Sequence, residues 1–169
     1  MIPFPDKKYQ VILADPPWRY GFSKSSSRKV ENHYDTMKLK DIMELKVPAD
    51  SKCVLYLWAT APKLLEALKV MTAWGFQYKT NAVWDKKLMG MGYWFRGRHE
   101  LLLIGTKGKI SPPEPSKRVP SVLEYVRTKH SKKPVEVREM INEWFPNFKK
   151  IELFARERIS GWDAWGLEV

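Results

Sequence analysis

The sequence has few of the residues that bind metals or form covalent cross-links. One cysteine, Cys53, and three histidines, His33, His99 and His130, are scattered along 169 residues. A single cysteine excludes a disulfide within the chain, and the histidines share none of the spacings typical of zinc ligands. We therefore expect no bound metal, and we expect Cys53, which lies in the run CVLYLW, to be a small buried hydrophobic residue.

Long hydrophobic runs and the motifs of several common enzyme classes are also absent from the sequence. No stretch of about 18 apolar residues occurs and no signal peptide opens the chain, so we expect a soluble, intracellular protein without a membrane span. The stretch GMGYWFRG lacks the G-x-G-x-x-G spacing and does not lead from a strand into a helix, which argues against a nicotinamide-dependent enzyme. Neither a Walker A motif nor a nucleophile elbow occurs.

Basic residues are in clear excess over acidic ones. The chain has 30 Lys and Arg against 19 Asp and Glu, a net charge of +11. This charge favours a polyanionic partner, nucleic acid first, through neutralisation of phosphates, although a merely solvated basic surface is the alternative. The hydrophobic content of 44% and the length predict one domain, residues 1–169, with a substantial core.

Continuous apolar runs predict strands that are covered on both faces. Two segments with helical spacing, 61–74 and 134–145, lie between them, with Thr60 and Pro134 at their starts and Gly75 ending the first. Alternation of strands and helices predicts an α/β protein with a mostly parallel sheet flanked by helices. The predicted strands are 10–14, 53–58, 80–84, 100–106, 121–127 and 150–155. The buried helical faces should be Leu64, Leu65, Leu68 and Met71 in the first helix, and Val137, Met140, Ile141 and Trp144 in the second.

The first predicted strand runs directly into the tetrapeptide DPPW, residues Asp15, Pro16, Pro17 and Trp18. In open α/β sheets, ligands bind beyond the carboxyl ends of strands, and this is where Asp15 falls. The two prolines have no N–H, so the turn offers carbonyl and carboxylate oxygens with almost no donors. The group that complements such a turn is a planar amine on an aromatic ring, with Trp18 exposing its indole face for stacking.

An aromatic amine is a weak nucleophile because its lone pair is delocalised into the ring. Hydrogen bonds from both N–H groups to Asp15 and to a proline-turn carbonyl would favour a pyramidal nitrogen with a localised lone pair. That is stabilisation of a transition state rather than of the bound base, and it needs no metal. The alternative is a proline-rich turn with only a structural role, since such turns are common at strand ends.

With DPPW after an apolar strand near the start of the chain, the sequence resembles the adenine N-6 methyltransferases of the MT-A70 family. The resemblance implies transfer of a methyl group from S-adenosylmethionine to the exocyclic amine of adenine in DNA or RNA. It also implies a Rossmann-like class I methyltransferase fold in a circularly permuted order, with the catalytic motif before the donor-binding motif. Asp15, Pro16, Pro17 and Trp18 would form the catalytic turn.

The closing segment, HSKKPVEVREMI followed by KKIELFARERISGWDAWGLEV, resembles the donor-binding end of the same family. By this resemblance Lys133 would reach the carboxylate of the donor's methionine, a cation for an anion. Arg158, Leu167 and Glu168 depart from eukaryotic relatives, which have a histidine and an Asn-Gln pair there. The full set of residues implied for the donor is Asp15, Lys133, Glu152, Phe154, Arg156, Arg158 and Glu168.

Two irregular basic loops, 19–36 and 86–99, have the composition of nucleic-acid contacts, since they interleave aromatic residues with Lys and Arg. A stacked adenine cannot enter the turn unless it flips out or is already single-stranded. Solvated loops without this role are the alternative. The residues predicted to contact nucleic acid are Arg19, Tyr20, Lys24, Arg28, Lys29, Tyr93, Trp94, Arg96 and Arg98.

The reading that we prefer is a small DNA adenine methyltransferase acting in the cytoplasm of a bacterium or phage-infected host. RNA is the alternative substrate, because no feature of the sequence reads a 2′-hydroxyl. A catalytically silent nucleic-acid-binding subunit and a methyltransferase of protein amides are further alternatives; Asp15, Trp18 and the charge of +11 argue against them. The family resemblance also allows a homodimer, or a heterodimer with a related subunit, through the region 86–106.

Overall fold

A seven-stranded sheet forms the centre of the protein, and the computed structural model describes residues 2–20, 36–126 and 132–169 of it. The strand order is β5-β3-β4-β2-β1-β6-β7. The strands are β1 (Tyr9–Ala14), β2 (Ala49–Ala59), β3 (Gln77–Asp85), β4 (His99–Lys107), β5 (Val122–Glu124), β6 (Lys150–Leu153) and β7 (Asp163–Trp165). Four pairings are parallel and two, both made by β4, are antiparallel.

Helices cover both faces of this sheet. They are α1 (Leu39–Met43), α2 (Leu64–Ala73), which continues a 3₁₀ turn at Ala61–Lys63, and α3 (Val135–Trp144). One buried cluster packs α1 and α2 against one face, through residues such as Ile42 and Val70. The other packs α3 against the opposite face through Val137 and Ile141. This confirms the α/β protein with a mostly parallel sheet that the alternation of elements predicts, and it is consistent with the Rossmann-like fold that the family resemblance implies.

The strand order reverses at β1, because β2 pairs with one side of β1 and β6 pairs with the other. Ala14, the last residue of β1, is in register with Leu57 and with Leu153. The carboxyl ends of these three parallel strands therefore meet at one edge. Ligands of open α/β sheets bind at such a switch point, and Asp15 is the first residue beyond it.

The sequence predictions are confirmed for all six strands and both helices, with ends that differ by a few residues. The short elements α1 and β7 were not predicted, because five and three residues carry too little periodicity to detect. Cys53 is fully buried, as expected. None of the helices in the described ranges is long and apolar enough to cross a membrane.

Three local predictions are wrong. Leu65 was expected on the buried face of α2 but is 74% exposed, since Ala67, Val70 and Met71 form that face. Thr60 was expected to cap the helix, yet it makes no capping hydrogen bond, and its hydroxyl instead contacts the hydroxyl of Tyr20 at 2.7 Å. The prediction that the strands are covered on both faces is also wrong for β3, whose first four residues are exposed.

Candidate active site

A polar cavity of about 220 Å³ opens at the carboxyl ends of β1, β2 and β3. The antiparallel direction of β4 puts its first residues at the same edge. The cavity volume is below the roughly 300 to 1,000 Å³ typical of small-molecule sites. Two lining residues, Tyr20 and Lys132, adjoin the segments 21–35 and 127–131, which lie outside the described ranges. The lining residues are Asp15, Pro16, Pro17, Trp18, Tyr20, Ala59, Thr60, Trp84, Lys86, Glu100, Lys132, Lys133 and Arg156.

Four charged side chains of alternating sign form a partly buried network of ion pairs in this cavity. Lys133 Nζ lies 2.6 Å from Asp15 Oδ2 and 3.3 Å from Glu100 Oε2, and Lys86 Nζ lies 3.0 Å from the other oxygen of Glu100. All four side chains are at most 24% exposed. Low exposure strengthens these contacts and makes any unpaired member costly, so the four groups hold one another in place.

The electrostatics of this network follow from burial and from the neighbouring charges. Burial raises the pKa of Asp15, while the attraction of Lys133 opposes that rise. Burial alone would lower the pKa of Lys133, but the two carboxylates outweigh it and raise that pKa. Burial likewise acts to raise the pKa of Glu100, and attraction from Lys133 and Lys86 brings it below its usual range. Lys133 is therefore a firmly protonated donor that faces two acceptors.

The DPPW turn itself is nearly free of donors, as predicted. The carbonyl of Pro16 accepts the N–H of Trp18 at 2.8 Å, and the carbonyl of Pro17 accepts the N–H of Met37 at 2.9 Å. Each carbonyl oxygen has a second lone pair. The turn has two N–H groups, and both donate within the protein, that of Trp18 to Pro16 and that of Asp15 to the carbonyl of Leu153 at 3.4 Å, so acceptors remain for a ligand.

The expected exposure of Trp18 is wrong. Its side chain is 4% exposed, and Nε1 donates to the carbonyl of Trp58 at 3.2 Å. The indole packs in the buried cluster that contains Ile42, and its hydrogen bond joins the turn to the end of β2. Trp18 therefore holds the turn in position, and Tyr20 and Trp84 are the other aromatic residues of the lining.

The residues predicted to bind the donor are only partly brought together. Lys133 and Arg156 line the cavity, and Glu168 lies 3.7 Å from Arg156. Phe154, directly after β6, has a φ of +61°, a left-handed backbone that is rare for a large side chain and typical of functional or strained positions. Arg158 is exposed.

Glu152 is already paired within the protein. Its carboxylate accepts hydrogen bonds from Arg138 at 2.8 and 3.2 Å, in a bidentate arrangement that joins β6 to α3. Burial raises the pKa of Glu152, and Arg138 opposes that rise. The predicted contact of Glu152 with the donor stays a prediction, while its pairing with Arg138 gives it a structural role.

The residues predicted to contact nucleic acid fall into three groups. Tyr20 lines the cavity and Arg19 is exposed beside it, whereas Tyr93, Trp94 and Arg96 are exposed on the loop between β3 and β4. Arg98 donates to both oxygens of Asp85 at 2.7 Å and so closes the base of that loop. Lys24, Arg28 and Lys29 lie outside the described residues.

Sequence reasoning missed Glu100, Lys86 and Trp84. Glu100 is the second residue of β4 and Lys86 directly follows β3, so an ion pair between them depends on the antiparallel register of the two strands. A charged residue at the end of a buried apolar run is the signal that could have identified both.

Known proteins similar to this chain are methyltransferases. Residues 9–168 match the model of the MT-A70 family. The chain is similar to the Type II methyltransferase M.MunI of Mycoplasma sp, with 41% identity over 98% of this chain and 79% of that protein. It is also similar to the N(6)-adenosine-methyltransferase MT-A70-like protein of Arabidopsis thaliana, with 26% identity over 95% of this chain, and to the human N(6)-adenosine-methyltransferase catalytic subunit METTL3, with 27% identity over 88%. The chain spans 24% and 26% of the length of those two proteins.

Proposed function

Because the chain belongs to the MT-A70 family, we propose that it is an S-adenosylmethionine-dependent methyltransferase that acts on the exocyclic N-6 amine of adenine in DNA. The observation that carries the proposal is the cavity in which Asp15 and the donor-poor DPPW turn lie beside the Lys133 ammonium. Residues 1–169 would act as one catalytic domain, in the cytoplasm of a bacterium or a phage-infected cell.

The amine would be held by acceptors alone. Asp15 takes one N–H, and a carbonyl of Pro16 or Pro17 takes the other with its second lone pair. Both contacts strengthen as the nitrogen becomes pyramidal and gains positive charge, because the acceptors are a carboxylate and two fixed carbonyl dipoles. The turn therefore lowers the barrier to attack rather than merely binding the base.

The donor supplies an electrophilic methyl group when it is bound, and this chain supplies the charges that orient it. A lysine ammonium has three N–H donors, of which Lys133 uses two on Asp15 and Glu100. The third is available for a carboxylate of the donor. Arg156, which lines the site, and Glu168, which lies 3.7 Å from it, are further side chains that we assign to the donor. We also assign Phe154, whose ring contacts that of Trp165.

DNA is preferred over RNA because the bacterial relative, at 41% identity, is named a Type II methyltransferase. RNA stays the second candidate, since the plant and human relatives are named N(6)-adenosine-methyltransferases. The net charge of +11 suits either polyanion. A homodimer, or a heterodimer with a related subunit, is compatible with both.

The experiment that tests this proposal is incubation of the purified protein with S-adenosylmethionine labelled in the methyl group and with DNA and RNA oligonucleotides of matched sequence. Nucleoside mass spectrometry should detect N-6-methyladenine in the DNA. Methylation of RNA alone would identify RNA rather than DNA as the substrate. Donor binding without methyl transfer to either nucleic acid would point to the protein-amide alternative. Nucleic-acid binding without donor binding would indicate the silent subunit.

Replacing Lys133 with alanine should weaken donor binding by roughly tenfold to hundredfold, the value of one hydrogen bond to a charged group. It should also move the acid limb of the pH–rate profile to higher pH. Asp15 must be ionised to accept the amine, and loss of the Lys133 attraction lets burial raise the pKa of Asp15 further. Isothermal calorimetry with the donor and turnover across pH measure the two effects.

The matched variants for this prediction are Lys133→Arg, which keeps the charge, and Lys69→Ala, which removes an exposed lysine from α2. Lys69→Ala should bind the donor as the wild type does, and Lys133→Arg should keep the acid limb in place. An unchanged donor affinity in Lys133→Ala would remove this residue from the donor site.

A further inference from the structure

The loop between β3 and β4 ends in a cluster of exposed aromatic side chains. Tyr93, Trp94 and Phe95 are 92%, 95% and 89% exposed, and Met89 and Met91 beside them are also largely exposed. Contiguous apolar patches of this kind mark surfaces that bind a partner. We call residues 86–98 the finger, and Tyr93, Trp94 and Phe95 its tip.

The finger is an ordered extension of the β3–β4 hairpin. The N–H of Lys86 donates to the carbonyl of Arg98 at 2.9 Å, and the N–H of Gly90 donates to the carbonyl of Gly97 at 2.7 Å. At the base of the finger, Arg98 donates two hydrogen bonds of 2.7 Å to the carboxylate of Asp85. These contacts hold the tip away from the core, so its exposure follows from the backbone.

Glycine is required where the finger turns. A Cβ atom on Gly92 would collide with the carbonyl oxygen of Phe95, and one on Gly90 would come within 2.8 Å of the carbonyl oxygen of Gly97. The absence of side chains at these two positions lets the backbone fold back on itself. The three consecutive aromatic rings are therefore presented outward by a tight turn.

The base of the finger is also the rim of the active-site cavity. Lys86, the first residue of the finger, lines that cavity together with Trp84 and Glu100, which lie on the two strands that carry the finger. The tip is eight residues from Lys86, a reach of at most roughly 27 Å in an extended chain. The finger thus projects from the edge of the site at which the proposed amine is held.

Resting on the proposed function, we propose that the aromatic tip inserts into the base stack of duplex DNA and fills the space that the target adenine leaves. A stacked adenine cannot reach Asp15 until it turns out of the helix. Apolar side chains inserted between base steps unstack them, and aromatic rings stack on any base regardless of sequence. The substrate class is therefore matched duplex DNA, opened by the enzyme itself.

Charge favours DNA over a second copy of the chain as the partner of the tip. The finger carries four basic residues and no acidic one. Lys86, Lys87 and Arg98 are paired with acids at its base, and Arg96 is exposed directly beside the tip. Each copy has a net charge of +11, so two fingers would bring like charges together, whereas a duplex brings phosphates to them.

The test compares Trp94→Ala with the wild type on three DNA substrates of the same sequence: the matched duplex, the single strand, and a duplex with an abasic site opposite the target adenine. For the matched duplex, kcat/KM should fall by roughly tenfold to hundredfold, the value of one stacked base. The other two substrates should be methylated as before, since their adenine needs little or no extrusion. Trp94→Phe should recover the duplex activity, and Leu65→Ala, which removes an exposed apolar side chain from α2, should leave all three unchanged.

Several results would overturn the insertion. Trp94→Ala could lose activity equally on all three substrates, or on none of them. The wild type could methylate single strands but not duplexes, or it could form a dimer that Trp94→Ala converts to monomers in sedimentation velocity. The last result would make the tip a protein interface. A wild type that methylates no DNA at all would overturn the proposed function as well, so the two failures are distinguishable.

Discussion

Replacing Asp15 with alanine is expected to abolish methyl transfer, a fall in kcat of roughly a thousandfold. Alanine removes the carboxylate of the turn and leaves the amine to the proline carbonyls, each of which already accepts a backbone N–H. The donor should still bind within a few-fold of its wild-type affinity, because Lys133 keeps its contact with Glu100 at 3.3 Å. Turnover with labelled donor and calorimetry with the donor alone measure the two quantities separately.

Asp15→Asn is the matched variant for this prediction. The amide keeps one acceptor oxygen at the same position but loses the charge, so its activity should fall between those of the wild type and the alanine variant. Retained turnover in Asp15→Ala would refute the role assigned to this carboxylate. A large loss of donor affinity in the same variant would mean that Asp15 acts by holding Lys133.

The position of the catalytic turn could be predicted from the sequence because it depends on local features. An apolar strand, an acid and two prolines determine that Asp15 follows the end of β1 and that donors are scarce there. The parallel arrangement of β1 with β6 then brings Leu153 into register with Ala14, and the far end of the chain joins the near end. The turn could be predicted from local residues and the parallel sheet from the alternation of strands and helices, whereas the register itself comes from the structure.

The partners of Asp15 could not be predicted in the same way. Glu100 reaches the cavity because β4 runs antiparallel to β2 and β3, whereas alternation of strands and helices suggests parallel neighbours. The burial of Trp18 depends on a hydrogen bond to a carbonyl 40 residues away in the chain. Contacts of this range are set by the register of the sheet, which periodicity within one segment does not contain.

The pairing of Glu152 with Arg138 illustrates how a residue with a predicted functional role can also be structural. For Glu152, the motif IELFAR predicts only a position on a strand and a contact with the donor. The partner lies on α3, at position 138 in the run VEVREM, and its guanidinium is buried because the helix packs its apolar face on the sheet beside it. A charged residue in an otherwise amphipathic helix does not reveal whether it points to solvent or to a buried acid.

Replacing Arg138 with alanine is expected to lower the free energy of unfolding by about 3 to 5 kcal/mol, the usual effect of removing one partner from a buried ion pair. The side chains of Arg138 and Glu152 are 9% and 13% exposed, so the carboxylate would lose its guanidinium in a poorly solvated position. Urea denaturation monitored by tryptophan fluorescence measures the change.

The loss should depend on pH in a direction set by Glu152. Burial raises its pKa in the folded protein and Arg138 opposes that rise, so the variant has a still higher folded pKa than the wild type. Between the unfolded and the folded pKa, the folded state binds more protons, and stability therefore decreases as the pH rises through that window. The deficit of the variant should be largest near neutral pH and smaller in acid.

The double variant Arg138→Met with Glu152→Met completes the test. Replacement of both charges by apolar side chains of similar length removes the unpaired ion, so the protein should recover most of the stability that Arg138→Ala loses. A double variant as unstable as Arg138→Ala would assign the loss to packing of α3 rather than to the buried charge. If Arg138→Ala has wild-type stability at neutral pH, the pair does not join β6 to α3 in the way that its two hydrogen bonds indicate.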